Sequence, residues 1–242
     1  MDGVTLVARS RPIIAGVDGC RGGWLALVEC NDGQLKALVF SRFTELVNAL
    51  PRLKVIAVDI PIGLAEFGAR ACDEHARHEL AQPCGSSVFP APLRAVLAAR
   101  SWEEACTIRL RIDGKKMSKQ AWGIVVKVRE VDAVLREDPK LTARVFEIHP
   151  EVSFAAWAGE PMPHSKKKSA GKLDRRKLIM AEWPDGIASC RAMLAGERYA
   201  LDDLHDAFAA LWTARRISAM KSRALPSISA CDANGLPMRI AV

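Results

Sequence analysis

No stretch of this chain approaches the roughly 20 consecutive apolar residues needed to cross a bilayer. Met1 to Arg11 carries Asp2, Arg9 and Arg11 but no apolar core of the kind a secretory leader has. The expectation is a cytoplasmic protein with no membrane partner. Paired cysteines are missing as well. Seven cysteines lie scattered at 20, 30, 72, 84, 106, 190 and 231, odd in number and without a C-x-x-C motif. That pattern argues against a disulfide framework and against a cysteine-type structural zinc site, and suits reduced thiols. Cys72 with His75 and His78 has metal-like spacing, but one Cys and two His are too few for a structural zinc. Aromatic residues make up only 6% of the chain, too few for extended platforms that stack single-stranded bases. No internal repeat and no linker-like stretch breaks the sequence, so residues 1–242 read as one domain.

What is present is ordinary globular material with a basic excess. Half of the 242 residues are hydrophobic and 26% are charged, enough to bury a substantial core. The net charge of +7 leans toward a polyanionic partner such as nucleic acid.

The chain is organised around Ile13 to Trp24, I-I-A-G-V-D-G-C-R-G-G-W. An apolar run carries one acid, Asp18, at its end; a Gly-rich turn and a second apolar run follow. Residues 13–20, 24–30 and 35–40 read as three consecutive strands, the last two joined by the turn Asn31-Asp32-Gly33. Phe43, Leu46, Val47 and Leu50 have helical spacing. Lys54 to Ile60 is apolar apart from its ends and reads as a central strand closing on Asp59. Residues 64–140 read as a mostly helical insertion, with a helix over 65–81, a Pro-rich connection over 84–94 and further helices near 102–111 and 125–136. Arg144 to His149 reads as a fifth strand and 161–172 as a polar, basic, mobile loop. Short helices over 173–182 and 187–195 precede the longest helix, 201–220, whose apolar face includes Leu204, Phe208, Leu211 and Trp212. A small hairpin is expected around Asn234-Gly235. The class is therefore α/β, with a mixed five-stranded sheet flanked by helices and its first and fourth strands adjacent.

Four groups of residues could carry chemistry. Asp18 and Asp59 close strands that should be neighbours, while Asp203 and Asp206, three apart, share a helix face. Converging carboxylates repel unless cations neutralise them, and an all-oxygen set suits Mg²⁺ or Mn²⁺. Two such ions about 4 Å apart can activate water and stabilise the leaving oxygen of a phosphodiester. The alternative is structural: Asp18 supports its turn, and Asp202 and Asp203 cap the helix. The second group is Glu147, His149 and Glu151. Alternation places Glu147 and His149 on one strand face, where Glu147 could orient an Arg or a metal and His149 could move protons. A paired structural Glu and a hydrogen-bonded His remain the plainer reading. The third comprises Arg70, Asp73, Arg77 and Arg94 with Ser86, Ser87, Ser118, Lys119 and Gln120. Arg forks suit phosphate, although a buried Arg70–Asp73 pair explains them equally well. Arg21, in the first Gly-rich turn, is a further candidate for substrate contact. The fourth is the basic run Lys166 to Lys168 with Lys172, Arg175, Arg176 and Lys177, able to track a phosphate backbone or simply to solvate a loop.

Gly16 to Trp24, Val58 to Leu64 (V-D-I-P-I-G-L), Arg70 to Arg77 (R-A-C-D-E-H-A-R) and Ser86 to Pro92 resemble segments of a prokaryotic family of unknown function, DUF429. So do Ser118 to Ile124, Phe146 to Glu151 (F-E-I-H-P-E) and Asp202 to Leu211 (D-D-L-H-D-A-F-A-A-L). That family is described as predicted nucleases of the RNase H-like fold. The resemblance implies acids on the first strand, the fourth strand and a late helix, places that Asp18, Asp59 and Asp206 match, with Asp203 as a further ligand. The D-x-x-D-A pattern at Asp203 to Ala207 is similar to the late helix of Holliday-junction resolvases, which are often dimers, so a homodimer is an expected assembly.

Three functions follow as expectations. The first is a Mg²⁺- or Mn²⁺-dependent nuclease, with Asp18, Asp59, Asp203, Asp206 and Glu147 as its catalytic residues. Arg21, Arg70, Arg77, Arg94, Ser118, Lys119, Gln120 and His149 would contact the substrate. The second is a nucleotide-binding phosphotransferase of the related actin and sugar-kinase fold, weakened by the short chain and the lack of a second Gly-rich loop. The third is a non-catalytic nucleic-acid-binding protein whose acids pair with its many arginines.

Overall fold

The computed structural model describes residues 12–242. The expectation drawn from Met1 to Arg11, that no secretory leader is present, lies outside the described residues. No helix among them is long and apolar enough to cross a membrane.

Five strands form the main sheet: β1 (Pro12–Cys20), β2 (Gly23–Cys30), β3 (Leu35–Phe40), β4 (Val55–Val58) and β5 (Val145–Glu147). Their order is β3-β2-β1-β4-β5. The first three are antiparallel neighbours joined by tight turns, and β4 lies parallel to both β1 and β5. A sheet with this order, covered by helices on both faces, is the arrangement expected of an RNase H-like fold.

Alternation along β1 sorts the core. Ala15 and Val17 face one side, where Trp24, Val28, Ile56 and Val58 meet two helices, α1 (Phe43–Ala49) and one of the insertion helices. Ile14 faces the other side with Leu25, Leu27 and Ala57. The period of two then places Gly16 and Asp18 on that second side as well. Between β4 and β5 run α2 (Ala71–Cys84), α3 (Trp102–Asp113), α4 (Lys119–Gly123), α5 (Val125–Glu137) and α6 (Pro139–Thr142). Helix α5 is the one that lays Val128, Val131, Val134 and Leu135 onto the first side of the sheet. After β5 come α7 (Pro150–Ala158), α8 (Ser169–Glu182), α9 (Gly186–Met193) and α10 (Leu201–Ser218). Two short strands, β6 (Ala224–Leu225) and β7 (Ile240–Ala241), close the chain.

Helix α10 crosses the sheet directly over β1. A Cβ at Gly16 would fall 2.0 Å from the Leu211 backbone nitrogen and 2.4 Å from the Ala207 carbonyl oxygen. Only glycine admits that approach, because any side chain would meet backbone rather than a movable side chain. Leu204, Phe208 and Leu211 are fully buried in the same layer.

Several boundaries differ from the sequence expectation. The helix expected from residue 65 begins at Ala71, and Arg70 precedes it in extended conformation. Pro150–Ala158 is a helix that the sequence did not announce: it is apolar on most of its circumference, so no amphipathic period marks it. The loop expected over 161–172 stops at Lys168, where α8 begins. It is also tied down. Met162 is buried, Arg175 Nη1 donates to the carbonyls of His164 (3.0 Å) and Gly171 (2.7 Å), and Gly171 packs on the Ser165 carbonyl. The small hairpin expected around Asn234-Gly235 is present, with the Asp232 N–H on the Leu236 carbonyl (2.8 Å), the Met238 N–H on the Ala230 carbonyl (2.9 Å) and a bridge between Cys231 and Pro237, while the final strand pairs with Ala224–Leu225.

Candidate active site

Asp18 lies near the end of β1, on the face that carries α10. Two residues earlier Gly16 touches Ala207 and Leu211, and beyond the strand the Gly22 N–H donates to the Arg198 carbonyl (2.7 Å). Moving up β1 therefore means moving toward the N-terminus of α10, which brings Asp18 level with Asp206 and Asp203. Asp59 follows β4, and its N–H donates to the Val17 carbonyl (3.0 Å), beside Asp18. Backbone ladders and one close helix contact thus gather four carboxylates from three elements.

Asp18 is 8% exposed and Asp206 6%, and Asp59 is half-buried. Burial raises the pKa of Asp18 well above the carboxylate range, and the charges of Asp59, Asp206 and Asp203 push it further. Burial, then Asp206, lifts Asp59 to about 8. Burial raises Asp206 too, despite an ammonium against it. That ammonium is Lys166, whose Nζ sits 2.5 Å from Asp206 Oδ2. Burial works against the Lys166 charge, but Asp206 and Asp59 outweigh it and hold its pKa above the ordinary range. Asp203 also caps its helix: Oδ2 accepts the Ala200 N–H at 2.7 Å.

A cavity of about 600 Å³ opens over Asp18 and Asp59. Asp18 and Asp59 form one side. The segment Pro83–Phe89, the α4–α5 region at Gln120, Ile124 and Lys127, and the Ser165–Lys167 turn supply the others. Lys127 stacks on Trp24 and donates to the Gly23 carbonyl. His149, just past β5, lines the cavity with a buried Nδ1 that has no hydrogen-bond partner. Burial, then the nearby Lys166 charge, lowers its pKa to about 4, so the imidazole is neutral at physiological pH.

Glu147 stands at the back of this cavity in a different role. Its Oε2 accepts from the Ile62 N–H (2.7 Å) and Arg70 Nη1 (2.8 Å), and Oε1 accepts from Arg70 Nη2 (2.7 Å). Burial raises Glu147 to about 7 against the pull of Arg70. Arg70 also meets Asp73 at 2.5 and 3.2 Å and the carbonyls of Ile62 and Gly63 at 3.1 Å. Its five N–H donors are spent inside the fold, so none is left for a phosphate. Among the described residues only Cys72, Asp73 and Glu147 bring three donor atoms within 4.8 Å of one another. Both carboxylates of that trio are already ion-paired with the Arg70 guanidinium. The aspartate set stands wider apart, with Lys166 on it; its all-oxygen donors still suit a hard divalent cation.

The other expected substrate contacts disperse. Gln120 lines the cavity. Arg77 donates to the Val88 carbonyl (2.7 and 3.2 Å) and so supports the cavity wall. Arg94 is held by Asp132 (2.6 Å) and Asp232 away from the cavity. Ser118 caps α4 by accepting the Ala121 N–H, Lys119 stacks on Trp102, and Arg21 is exposed at the β1–β2 turn. Sequence reasoning missed Lys127 altogether, and it treated Lys166 only as part of a basic run. No local pattern ties Lys166 to an aspartate 40 positions later. Glu151 and Arg175, each singled out separately, form one buried ion pair that anchors the Lys166 turn.

An α/β sheet of this order, with acids at the ends of two adjacent parallel strands and on a late helix, is consistent with an RNase H-like fold carrying an acid-lined cavity. Residues 16–229 match the family described as "Protein of unknown function (DUF429)", and the chain belongs to that family. No curated protein and no solved structure matches it.

Proposed function

We propose that this protein is a divalent-cation-dependent phosphodiesterase acting on nucleic acid. The observation that carries the reading is the gathering of Asp18, Asp59 and Asp206, with Asp18 and Asp59 lining one cavity and Lys166 paired to Asp206. Carboxylates held this close raise one another's pKa, an arrangement that costs stability and is characteristic of sites that bind or react. In this reading Asp18, Asp59 and Asp206 hold Mg²⁺ or Mn²⁺, with the free oxygen of Asp203 in reach. The cation would supply Lewis acidity, lowering the pKa of water and drawing charge from the phosphate. Lys127 and Lys167 offset phosphate charge at the cavity wall. Gln120, Ser86 and Ser87 offer hydrogen bonds to the sugar–phosphate chain, and the neutral His149 offers Nδ1 as a proton acceptor. Glu147 and Arg70 brace the strand ends from behind. The Lys166–Asp206 pair favours a second reading, a binding protein whose acids are structural.

Calorimetric titration of Mn²⁺ into the wild type and Asp18→Asn separates the two. Saturable binding lost in the variant, followed by Mn²⁺-dependent cleavage of branched, duplex or single-stranded nucleic acid, is the expected result. Absence of Mn²⁺ binding with every nucleic acid present would leave the binding-protein reading standing.

A further inference from the structure

We infer that Lys166 takes the place of one metal ion, so that the site holds a single divalent cation beside a fixed ammonium rather than a metal pair. The inference rests on the phosphodiesterase reading and refines the composition of the same site.

Three observations carry it. The first is contact: Lys166 Nζ lies 2.5 Å from Asp206 Oδ2, where a second cation would need that oxygen. The second is charge. Asp18, Asp59, Asp206 and Asp203 bring four negative charges, Asp203 keeping its charge while one oxygen accepts the Ala200 N–H. One divalent ion and one ammonium bring three positive charges against these four; two divalent ions and the ammonium would exceed them. The third is anchorage. Lys166 does not hang from a free loop that could swing aside. The Lys168 N–H bonds the Ser165 carbonyl (2.9 Å), and Arg175 ties the carbonyls on either side of the turn, at His164 and Gly171. Arg175 is itself fixed by Glu151, both fully buried. A Cβ at Gly171 would strike the Ser165 carbonyl at 2.2 Å, so turn and helix are in close backbone contact. An ammonium is a compact point charge with three donors, suited to stand at a carboxylate where a hydrated ion would otherwise sit.

The test counts ions in the folded protein without reference to turnover. Mn²⁺ stoichiometry is measured by calorimetry and by electron paramagnetic resonance on the wild type, Lys166→Met, Lys166→Gln and Lys166→Arg, with circular dichroism to verify folding. The expected result is one Mn²⁺ in the wild type and in Lys166→Arg. Lys166→Met and Lys166→Gln should take two, with the spin-coupled spectrum of a close Mn²⁺ pair. Two ions in the wild type would overturn the inference while leaving the metal-site reading intact. One ion in every folded variant would also overturn it, because Lys166 would then exclude nothing. No ion in the wild type or any variant would overturn the phosphodiesterase reading itself, and the inference with it.

Discussion

Removing Arg70 is the sharpest test of how the cavity is braced. Arg70 is 3% exposed and is the ion-pair partner of both Asp73 (3%) and Glu147 (5%), whose backbone hydrogen bonds come from the Ala91 and Ile62 N–H groups. Arg70→Ala leaves two carboxylates buried and uncompensated, and it strips donors from the Ile62 and Gly63 carbonyls. Breaking a buried ion pair from one side costs about 3–5 kcal/mol. Against a total stability of roughly 5–15 kcal/mol, the variant should be marginal at 37 °C. Lysine restores the charge but not the fork that engages two carboxylates at once, so Arg70→Lys should recover only part of the loss. The pH dependence has a definite sign. Without Arg70, burial holds the folded-state pKa of Glu147 above its unfolded value with nothing to pull it down. The folded variant then binds more protons than its unfolded chain, and its stability falls as pH rises through that interval. The deficit relative to wild type should therefore be smaller at pH 5 than at pH 7.5. Urea unfolding followed by tryptophan fluorescence at both pH values measures it. A loss below about 1 kcal/mol, the size expected of an exposed pair, would refute the account, as would a deficit independent of pH.

Other substitutions probe the acids and their scaffold. Asp59→Asn should stabilise the metal-free protein by about 1–3 kcal/mol, the gain seen when a poorly compensated buried charge is removed. Asp59 has a folded-state pKa raised to about 8, so this gain should be small near pH 4, grow as pH rises, and level off above pH 8; thermal melts across that range read it. For the same reason Mn²⁺ must displace a proton from Asp59 below pH 8, so affinity in the wild type should climb by up to about tenfold per pH unit from 6 to 8 and then flatten. Gly16→Ala should cost more than about 3 kcal/mol by forcing α10 from β1, and should weaken Mn²⁺ binding in whatever folded protein remains. Nitrogen chemical shifts of His149 should report a neutral ring down to about pH 5, since its pKa lies near 4.

Sheet and acids were legible in the sequence because they depend on local rules. A run of alternating and continuous apolar residues marked β1, β2, β3 and β4, and Asp18 and Asp59 stood out as single charges in such runs. The D-x-x-D spacing put Asp203 and Asp206 on one face without tertiary information. What escaped was set by partners distant in the chain. Arg70 read equally as a phosphate ligand or as a partner of Asp73, because a fork that binds phosphate also binds carboxylate; only the arrival of Glu147, 77 positions later, decides between them. Pro150–Ala158 was hidden by its own burial, since a helix apolar on most sides shows no period. The turn holding Lys166 read as solvated because lysines are usually outside, and nothing local revealed that Arg175 and Glu151 pull it inward.

The contact of Gly16 with Ala207 and Leu211 has a bearing on how the molecule can drift over generations. Where main chain rests on main chain, the spacing between strand and helix is a ruler cut by covalent geometry instead of by side-chain volume. Exchanges among the leucines and phenylalanines of the surrounding layer should therefore disturb the spacing of Asp18 and Asp206 less than any side chain at Gly16 would. The tolerance of the core and the exactness of the acid cluster are thereby uncoupled, and a single hydrogen atom in place of a methyl group is what keeps them so.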